Sequence, residues 1–427
     1  MRRTLLLIPH ELASIPIFGF GWVLGIMVAC GIAISLYVKS SGRGVAAYWQ
    51  SNAMLWGFGA IVVTTVLPRI ELLNVSGDPI GMAVRGYGVM LLLGVVASVW
   101  LAVVRGDRYG ISADAMLGLA PWLLIGGILG ARAFYVIEYR DQFFSRDIGA
   151  TIRNLLNFTE GGLVVYGGFI AGFFASAFYI VKHHLPLLKM GDAIVPCMFI
   201  GLSLGRIGCL MNGCCYGNAC EPSWSALRFP NSSPVYQDQL ASGELVGIKL
   251  NVSGTQIESV RPESPAARSG VSVGADVSQF GTVRSAEEMS DRAPLEDAPL
   301  GLIAMIDGKE YYWPASKLPT AANPVAPSQI ISSAGAFFLC VILCVYSRFA
   351  TRDGMVMLVG FASYAVLRFI MEMLRNDEPG QFGTELTIAQ WVSIVVFSSA
   401  SVAMVWLNLM ARFPIKTPSE QTGTAGG

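Results

Sequence analysis

Apolar residues recur in runs of about twenty along most of this chain, and short polar segments separate the runs. A helix needs roughly twenty apolar residues to cross about 30 Å of hydrocarbon, so each run is long enough to span a membrane. The pattern predicts nine spanning helices, near residues 15–37, 53–68, 86–104, 115–137, 161–182, 191–210, 328–347, 355–374 and 388–410. The second prediction is the weakest, because that run is short and follows the polar residues Gln50, Ser51 and Asn52.

Composition supports this class of protein. Hydrophobic residues make up 53% of the chain and charged residues 14%, with a mean hydropathy of +0.55, whereas soluble domains are about a quarter charged. The formal net charge is zero, so bulk electrostatics do not favour a nucleic-acid partner. We therefore predict an all-α polytopic membrane protein.

Basic residues in the short loops indicate the orientation, because such loops are enriched in lysine and arginine on the cytoplasmic side. Residues of this kind follow alternate predicted spans: Lys39, Arg43, Arg105, Arg108, Lys182, Arg348, Arg352, Arg412 and Lys416. The N-terminus, the loop 138–160, the segment 218–326 and the turn 376–387 are then expected outside, and the C-terminus inside. Arg2 and Arg3 argue mildly against this orientation.

The segment 218–326 is polar and rich in Ser, Pro and Gly, unlike the rest of the chain. Its length predicts a small α/β or β-rich domain, or a partly disordered insertion. Residues 247–250 begin an alternating run that predicts a strand. Residues 261–277, RPESPAARSGVSVGADV, resemble a stretch of PDZ domains in which small residues open a short helix. A PDZ-like domain would bind an extended peptide by strand addition, and a generic β-rich insertion is the alternative.

Arg206 lies inside the apolar span that starts at Asp192, where hydrocarbon should still surround the helix. An intramembrane arginine is expensive, so it normally faces a cavity or a partner. The residues that follow suggest that the helix opens and frees backbone N–H groups for an anion: Gly208, Asn212, Gly213 and Gly217. The alternative is an arginine that extends to the membrane interface.

A second charged set lies on another apolar helix. Arg368, Glu372 and Arg375 occur at i, i+4 and i+7, so they project from one helical face. The glutamate is expected to orient one guanidinium while the other stays free for an anion, with geometry suited to phosphate. A salt bridge that only stabilises helix packing is the alternative.

Glycine pairs mark a third stretch, NFTEGGLVVYGGFIAG at 157–172. Gly167 and Gly168 follow Tyr166 inside the predicted span, and paired glycines allow close approach of another helix or of a ligand. Without other clues, helix packing is the simpler interpretation. Arg85 and Tyr87, in VRGYGVM, stand at the outward entrance of a span, where interfacial anchoring is the alternative.

Four cysteines cluster on the predicted outward side: Cys209, Cys214, Cys215 and Cys220. Zinc sites favour a C-x2-4-C pair joined by a second pair, and neither a second pair nor a nearby histidine is present. We therefore predict no metal site and no cofactor. A disulfide between Cys220 and either Cys214 or Cys215 is possible in an oxidising compartment.

Together these stretches resemble the prolipoprotein diacylglyceryl transferase family. The resemblance is strongest at GRIGCLMNGCCYG, residues 205–217. It is supported, in the family's order, by VRGYGVM, GARAFYV, EGGLVVYGG, PSQ and LRFIMEMLRND. These motifs cover most of residues 79–410 apart from the insertion.

The resemblance implies transfer of a diacylglyceryl group from phosphatidylglycerol to the lipobox cysteine of a prolipoprotein, with release of glycerol phosphate. It places the chain in a bacterial inner membrane, with its active site on the extracytoplasmic side. Arg206 and Arg368 are then expected to clamp the lipid phosphate, with Glu372 orienting a guanidinium. The remaining expected contributors are catalytic Tyr87 and Tyr166 and substrate-binding Asn212, Gly213, Gly217, Gly167, Gly168, Arg375 and Arg85.

Several positions depart from the family pattern. Tyr166 stands where many members carry a histidine that is a candidate general base, and tyrosine is a poor base at neutral pH. Ala326 replaces the histidine of H-P-S-Q, and Cys209 replaces an asparagine. The three histidines of the chain, His10, His183 and His184, lie outside the expected site. The general base is therefore unassigned.

The predicted organisation places extra N-terminal helices at 1–78, a core in two parts at 79–217 and 327–412, the insertion at 218–326 and a disordered cytoplasmic tail at 413–427. A transporter or channel for anionic solutes is the main alternative, because arginines and glycine pairs in spans also suit a substrate pathway. A non-catalytic scaffold that presents the insertion is another, and it leaves the arginines unexplained.

Overall fold

The computed structural model describes residues 3–42, 44–74, 76–143, 151, 155, 162, 164–221, 225–251, 253–284, 300–374, 381 and 383–410. The long helices are α1 (Trp22–Ser40), α2 (Val45–Ile61), α3 (Gly86–Arg108), α4 (Ala113–Glu138), α5 (Val165–Lys182), α6 (Leu187–Asn212), α7 (Ser328–Tyr346), α8 (Met355–Met373) and α9 (Ile388–Met410). Eight of them are long and apolar enough to cross a membrane, and α5 is a shorter apolar helix. The predicted polytopic helical class is confirmed, and each predicted span overlaps one of these helices.

The first two helices differ most from their predicted bounds. Helix α1 begins at Trp22 rather than near residue 15, because Ile15–Pro16 pairs with Glu11–Leu12 as a small antiparallel ribbon. Helix α2 begins at Val45, upstream of the polar residues that the prediction excluded. Asn52 and Ser51 both donate to the carbonyl of Tyr48, at 2.9 and 3.0 Å. Their polar groups are satisfied within the helix, so they do not end it.

The chain divides into two compact units, residues 1–89 with 208–329 and residues 90–207 with 330–427. The first unit contains the strands β1 (Thr4–Pro9), β2 (Glu11–Leu12), β3 (Ile15–Pro16), β4 (Leu72–Leu73), β5 (Pro79–Arg85), β6 (Ile248–Leu250), β7 (Ile257–Val260), β8 (Val277–Arg284), β9 (Leu300–Ile306) and β10 (Lys309–Trp313). They form sheets of order β1-β5-β4 and β10-β9-β8 and the pairs β2-β3 and β6-β7, and every pairing is antiparallel. Short helices lie at Pro234–Ala241 and Pro265–Arg268.

The insertion has its own apolar core, in which Phe229, Leu240 and Leu302 are at most 1% exposed. Its two ends are joined by hydrogen bonds, from the Gly217 N–H to the Ala326 carbonyl and from the Ala326 N–H to the Asn218 carbonyl. The chain therefore leaves and re-enters the membrane helices at neighbouring points. The insertion adds bulk between α6 and α7 without separating their ends.

Two sequence predictions for the insertion are confirmed. The alternating run at 247–250 contains strand β6, and the small residues of SPAAR form the helix Pro265–Arg268. Ser264 opens that helix, because its side chain accepts a hydrogen bond from the Ala267 N–H at 3.2 Å. The PDZ resemblance itself and the proposed domain boundaries stay predictions.

In the second unit, α6, α7 and α8 share a core around Val195, Phe199, Leu343 and Val356. Many of the large apolar side chains on α3, α4, α5 and α9 are exposed, as expected of surfaces that face lipid. A buried core of this unit therefore lies between α6, α7 and α8, two of which carry the charged motifs.

Asp192 fixes the contact between α6 and α8. Its side chain accepts hydrogen bonds from the Gly354 N–H at 2.7 Å and from the Met357 N–H at 2.8 Å, so it satisfies the first turn of α8. The residue is 1% exposed. Buried Arg105 donates to the carbonyls of Asp192 and Ala193, at 2.8 and 3.0 Å. The start of α6 is thus held on both sides by charged groups.

We predict that Asp192→Ala lowers the free energy of unfolding by about 2 kcal/mol, because two buried hydrogen bonds to a carboxylate are lost. The measurement is thermal unfolding of the full chain in detergent. Asp353→Asn is the matched control, because the Asp353 side chain is 51% exposed and lies 4.0 Å from Lys189. Equal melting temperatures for the two variants would contradict the prediction.

Candidate active site

Helices α6 and α8 run parallel and in a constant register. Asp192 contacts Met357, the Cγ1 of Val195 lies 2.5 Å from where a Cβ on Gly360 would stand, and the rings of Phe199 and Tyr364 are 5.8 Å apart. Each pair differs by the same 165 residues. Residues of the two helices that differ by 165 therefore lie at about the same height.

This register places the two expected phosphate ligands, Arg206 and Arg368, close in height. Arg368 is level with Ser203, and Arg206 lies three residues, about 4.5 Å, further along α6. Arg206 follows Asp192, Val195 and Phe199 at close to whole helical turns, so it projects from the face of α6 that meets α8. By the same helical spacing, Arg368 lies on the face of α8 that carries Gly360 and Tyr364 and meets α6.

Arg206 is half-buried, and its Nε is a buried donor with no hydrogen-bond partner among the described residues. A buried guanidinium donor without a partner is costly, because its desolvation is not offset. The site therefore has the character of an anion-binding position.

Arg368 forms the predicted ion pair. Its Nη1 lies 2.6 Å from Oε2 of Glu372, and the two side chains are 24% and 5% exposed. The contact is at ion-pair distance but is not aligned as a hydrogen bond, since that Oε2 has no aligned donor. Thr387 donates to the other carboxylate oxygen at 3.2 Å, from the start of α9. These contacts hold Glu372 in place. The guanidinium N–H groups of Arg368 that do not face Glu372 are left for a second anion.

Two expected site residues lie outside the described part of the chain. They are Arg375, two residues beyond the end of α8, and the side chain of Tyr166. Their predicted roles stay predictions.

Gly167 and Gly168 pack α5 against α4. A Cβ on Gly167 would lie 2.4 Å from the Cβ of Phe134 and 2.5 Å from the carbonyl oxygen of Gly130, and one on Gly168 would lie 3.1 Å from the carbonyl oxygen of Gly127. Gly168 also lines an apolar cavity of about 350 Å³, together with Gly127, Met198 and Phe361. Both glycines therefore have a structural role in helix packing, and their expected substrate-binding role stays a prediction.

Arg132, in GARAFYV, is a positioning residue that the sequence analysis did not single out. It is buried, donates to the carbonyls of Leu155 and Gly162 at 3.2 and 3.1 Å, and lies over the Phe143 ring at 5.0 Å from the centroid. Arg132 therefore links Leu155 and Gly162, which precede α5, to helix α4. The available sequence signal was the position of this arginine inside an apolar run, where a charged residue is costly and therefore rare.

The end of α6 corrects one prediction. Gly213 adopts a left-handed φ of 77°, and the N–H groups of Gly213 and Cys214 both donate to the Cys209 carbonyl, at 2.9 and 3.1 Å. The Gly217 N–H donates to Ala326. The glycines thus end the helix in a compact C-terminal cap, and the prediction that they free these N–H groups for an anion was wrong.

The PSQ motif holds the segment that follows α6. Ser328 donates to the Cys215 carbonyl at 3.0 Å, and Gln329 donates to the Cys214 carbonyl at 2.9 Å. Ser328 and Gln329 are both at most 2% exposed. This explains a motif that the sequence analysis used only for recognition.

Arg85 and Tyr87 flank the point where α3 begins beside the end of α6. A Cβ on Gly86, between them, would lie 2.5 Å from the Cε of Met211, next to Asn212. Arg85 pairs with Thr4 in the β1-β5 ladder, and Tyr87 is 41% exposed. One contact in the first unit, between Gly86 and Met211, therefore lies beside three expected site residues: Arg85, Tyr87 and Asn212.

All eight cysteines lie in the described part of the chain, and none of them forms a disulfide. The possible disulfide to Cys220 is therefore not formed. Cys209, Cys214 and Cys215 lie together, with their sulfur atoms within 4.8 Å of one another. Cys209 joins this group because α6 ends at Asn212 and the chain turns so that the Cys214 N–H donates to the Cys209 carbonyl, a contact that spacing alone did not reveal.

Chemically, the second unit offers a half-buried guanidinium whose Nε has no partner among the described residues, and a second guanidinium whose counter-ion is fixed. Such a pair suits an anion with several oxygens, above all a phosphate, since guanidinium groups bind phosphate bidentately. Donors of this kind also stabilise charge that develops on a leaving phosphate.

Comparisons with known proteins agree with this chemistry. The family model described as "Prolipoprotein diacylglyceryl transferase" matches residues 79–406. A phosphatidylglycerol–prolipoprotein diacylglyceryl transferase of Rhodopirellula baltica is 41% identical over 467 residues, which covers 100% of this chain and 92% of the relative. A second one, of Clostridium perfringens, is 25% identical over 75% of this chain and 90% of its own length.

We predict that Gly167→Ala destabilises the protein by about 1–3 kcal/mol, because the added methyl group forces α4 and α5 apart. Gly25→Ala in α1 is the control: a Cβ there meets nothing within 4 Å, and helix propensity favours alanine by about 0.5–1 kcal/mol. Thermal unfolding in detergent measures both. A neutral effect at Gly167 would contradict the packing assigned to it.

Proposed function

Because this chain belongs to the prolipoprotein diacylglyceryl transferase family, we propose that Arg206 and Arg368 are the groups that hold the lipid phosphate during its reaction. The protein is a multi-pass membrane transferase. It transfers the diacylglyceryl group of phosphatidylglycerol to the lipobox cysteine of a prolipoprotein and releases glycerol phosphate.

The reaction places specific demands on the site. The thiolate of the lipobox cysteine attacks the glyceryl carbon that is bonded to the phosphate oxygen, an S–C bond forms, and the C–O bond breaks. The electron pair of that bond moves to the phosphate oxygen, so negative charge grows on the leaving group. Cationic donors that are already in place stabilise this charge without having to reorganise.

The unpartnered Nε of Arg206 is the observation that carries the proposal. A phosphodiester oxygen at this position supplies the missing acceptor, and the charge of the guanidinium offsets that of the lipid. No described side chain already neutralises Arg206, so its full charge is available to the lipid.

Arg368 acts from the facing helix. Glu372 fixes one edge of its guanidinium, and Thr387 fixes Glu372 in turn. The register of α6 and α8 supports the proposal that one phosphate contacts both arginines, since the two residues differ by about 4.5 Å in height.

The remaining expected residues have supporting roles in this proposal. Arg375 assists the clamp, while Asn212, Gly213 and Gly217 shape the region that receives the headgroup. Arg85 and Tyr87 contribute a charge and a hydroxyl hydrogen bond. The cavity beside Gly168 suits an acyl chain, because its lining is apolar.

Tyr166 has no base function in the proposal. With an ordinary pKa near 10, a tyrosine is protonated at neutral pH and suits hydrogen-bond donation. Deprotonation of the lipobox thiol is therefore assigned to another group.

The active site is proposed to face the extracytoplasmic side of a bacterial inner membrane. Basic residues of the short loops support this orientation, since they collect at the opposite ends of the spans. Both substrates are amphipathic, so lateral entry from the membrane is the expected route.

We predict that Arg206→Ala and Arg368→Ala each reduce diacylglyceryl transfer by about 10²–10³-fold, because each removes a donor that stabilises the leaving phosphate. Arg206→Lys is expected to recover part of the activity, since it keeps the charge but loses the fork. The measurement is the mass of a prolipoprotein in cells depleted of their own transferase.

Arg348→Ala is the matched control, because Arg348 is exposed and lies two residues beyond the end of α7, in a loop that the sequence predicts to be cytoplasmic. It should retain wild-type transfer. A well-folded wild-type chain that adds no diacylglyceryl unit would favour the transporter alternative. Full activity of both alanine variants at Arg206 and Arg368 would refute the phosphate clamp.

A further inference from the structure

Helix α9 begins with a reciprocal pair of hydrogen bonds between Thr387 and Gln390. The side-chain oxygen of Thr387 accepts from the Gln390 N–H at 3.3 Å, and Oε1 of Gln390 accepts from the Thr387 N–H at 3.0 Å. This arrangement is the capping box of the T-x-x-Q type, which satisfies N–H groups at the start of a helix. Both residues are 7% exposed. The Thr387 side chain is therefore held in one orientation.

The hydroxyl of Thr387 makes a further hydrogen bond that a helix cap does not need. A capping hydroxyl uses a lone pair of its oxygen, so its proton is left over. Thr387 donates this proton to Oε1 of Glu372, at 3.2 Å. A carboxylate can only accept, so the direction of the hydrogen bond is fixed. One hydroxyl group therefore caps α9 and holds a carboxylate near the end of α8.

The two oxygens of Glu372 are divided between two partners. Oε1 faces Thr387, and Oε2 lies 2.6 Å from Nη1 of Arg368. A carboxylate is planar, so the direction of one oxygen determines that of the other. Glu372 is 5% exposed, which leaves little room for water to replace the hydroxyl. The orientation of the Arg368 guanidinium therefore depends on Thr387, through Glu372.

The segment before Thr387 is folded against the start of α9. The Gln381 N–H donates to the Leu386 carbonyl at 2.9 Å, and the Leu386 N–H donates to the Thr384 hydroxyl at 3.3 Å. The indole N–H of Trp391 donates to the same hydroxyl at 3.3 Å. Thr387 is therefore held on both sides along the chain, and the N-terminus of α9 stays beside Glu372. A helix N-terminus also favours a negative charge.

We propose that Thr387 is a positioning residue for diacylglyceryl transfer and that Gln390 holds its hydroxyl in place. This inference rests on the proposed function, in which Arg368 contacts the lipid phosphate. Thr387 acts on Glu372 and not on the lipid. It keeps the guanidinium N–H groups that do not face Glu372 directed at the phosphate. Donors that are in place before the reaction stabilise the developing charge most effectively.

The alternative is that Thr387 only caps α9. A cap needs an acceptor oxygen, and serine and aspartate are both favoured at this position of a helix. Positioning also needs the hydroxyl proton, which serine has and a charged aspartate lacks. An aspartate would in addition repel Glu372. The two roles therefore predict different results for Thr387→Ser and Thr387→Asp.

The first test measures the rate of transfer per folded molecule in the full-length protein, from the mass of the prolipoprotein. Thr387→Ser should keep the wild-type rate. Thr387→Asp should reduce it by about 10–100-fold, because misplacement of a group that orients the site has effects of this size. A purely structural role would change only the amount of folded protein. Equal rates for the two variants would overturn the proposal.

The second test covers the case in which a buried aspartate prevents folding. Thr387→Ala removes the cap and the donor together. Ser112→Ala is the matched control, because Ser112 caps α4 by accepting from the Ala115 N–H at 3.3 Å. Both variants should lose some thermal stability in detergent, and only Thr387→Ala should slow transfer per folded molecule, by about 10-fold or more. Unchanged transfer in Thr387→Ala, or the same loss in both, would contradict the positioning role.

A double variant shows whether Thr387 and Arg368 act as one unit. Residues that act through one another have non-additive effects. If Thr387 acts through Arg368, the combination of Thr387→Ala with Arg368→Ala should transfer as slowly as Arg368→Ala alone. A further loss as large as that of the single Thr387→Ala variant would show that Thr387 acts independently of the arginine, against the proposal.

The results also separate this inference from the proposed function. Wild-type transfer by Arg368→Ala would remove Arg368 from the phosphate clamp, and the positioning role of Thr387 would fall with it. Loss of transfer in Arg368→Ala, together with wild-type transfer in Thr387→Ala, would overturn the positioning role alone and leave the clamp intact.

Discussion

The carboxylate of Asp192 is the contact on which the arrangement of the charged helices depends. It is buried near the start of α6 and accepts two backbone hydrogen bonds from the first turn of α8. Because both hydrogen bonds are specific to one register, α8 cannot slide along α6 without exposing or orphaning a buried charge. Val195 and Phe199 then pack at the same offset. The register that begins at Asp192 therefore determines the relative height of Arg206 and Arg368, several turns away.

The charge balance near the ends of these helices leads to function. Two guanidinium groups lie on apolar helices, and among the described residues one carboxylate, Glu372, pairs with them. An apolar environment makes an unbalanced cation expensive, and an anionic lipid headgroup removes that cost whenever it binds. We therefore propose that the uncompensated charge of Arg206 favours binding of a phosphate, which is the group that the reaction must release. In this proposal the Arg206 side chain affects both the stability of the protein and its affinity for the lipid phosphate.

Much of this arrangement follows from sequence. The apolar runs predicted the nine long helices of the described residues, and the loop charges with the run lengths placed Arg206 and Arg368 at the same end of their spans. Spacing alone predicted the ion pair of Arg368 with Glu372, because i and i+4 residues share a helical face. These features are local, or follow from the length of a span.

Other features depend on tertiary contacts that no local pattern encodes. The offset between α6 and α8 is set by the side chains that pack between the two helices. Sequence therefore predicted how deep each arginine lies in its span, but not the register of one helix against the other. The glycines after Arg206 were expected to free N–H groups, but the Cys209 carbonyl takes two of them, since a helix end caps itself where glycine permits. Cys209 lies beside Cys214 and Cys215 because the chain turns back at the end of α6, where Gly213 and Cys215 have left-handed backbone conformations. Arg132 and the PSQ side chains likewise act on backbone carbonyls distant in sequence.

The most direct test of the central claim is a structure of the full-length protein with phosphatidylglycerol bound. The quantities to measure are the distances from the lipid phosphorus to the guanidinium carbons of Arg206 and Arg368. Bidentate guanidinium–phosphate pairing has hydrogen bonds of about 2.7–2.9 Å, so the account predicts that both arginines contact oxygens of one phosphate. A lipid phosphate that contacts neither arginine, or two guanidinium groups that face separate environments, would contradict it.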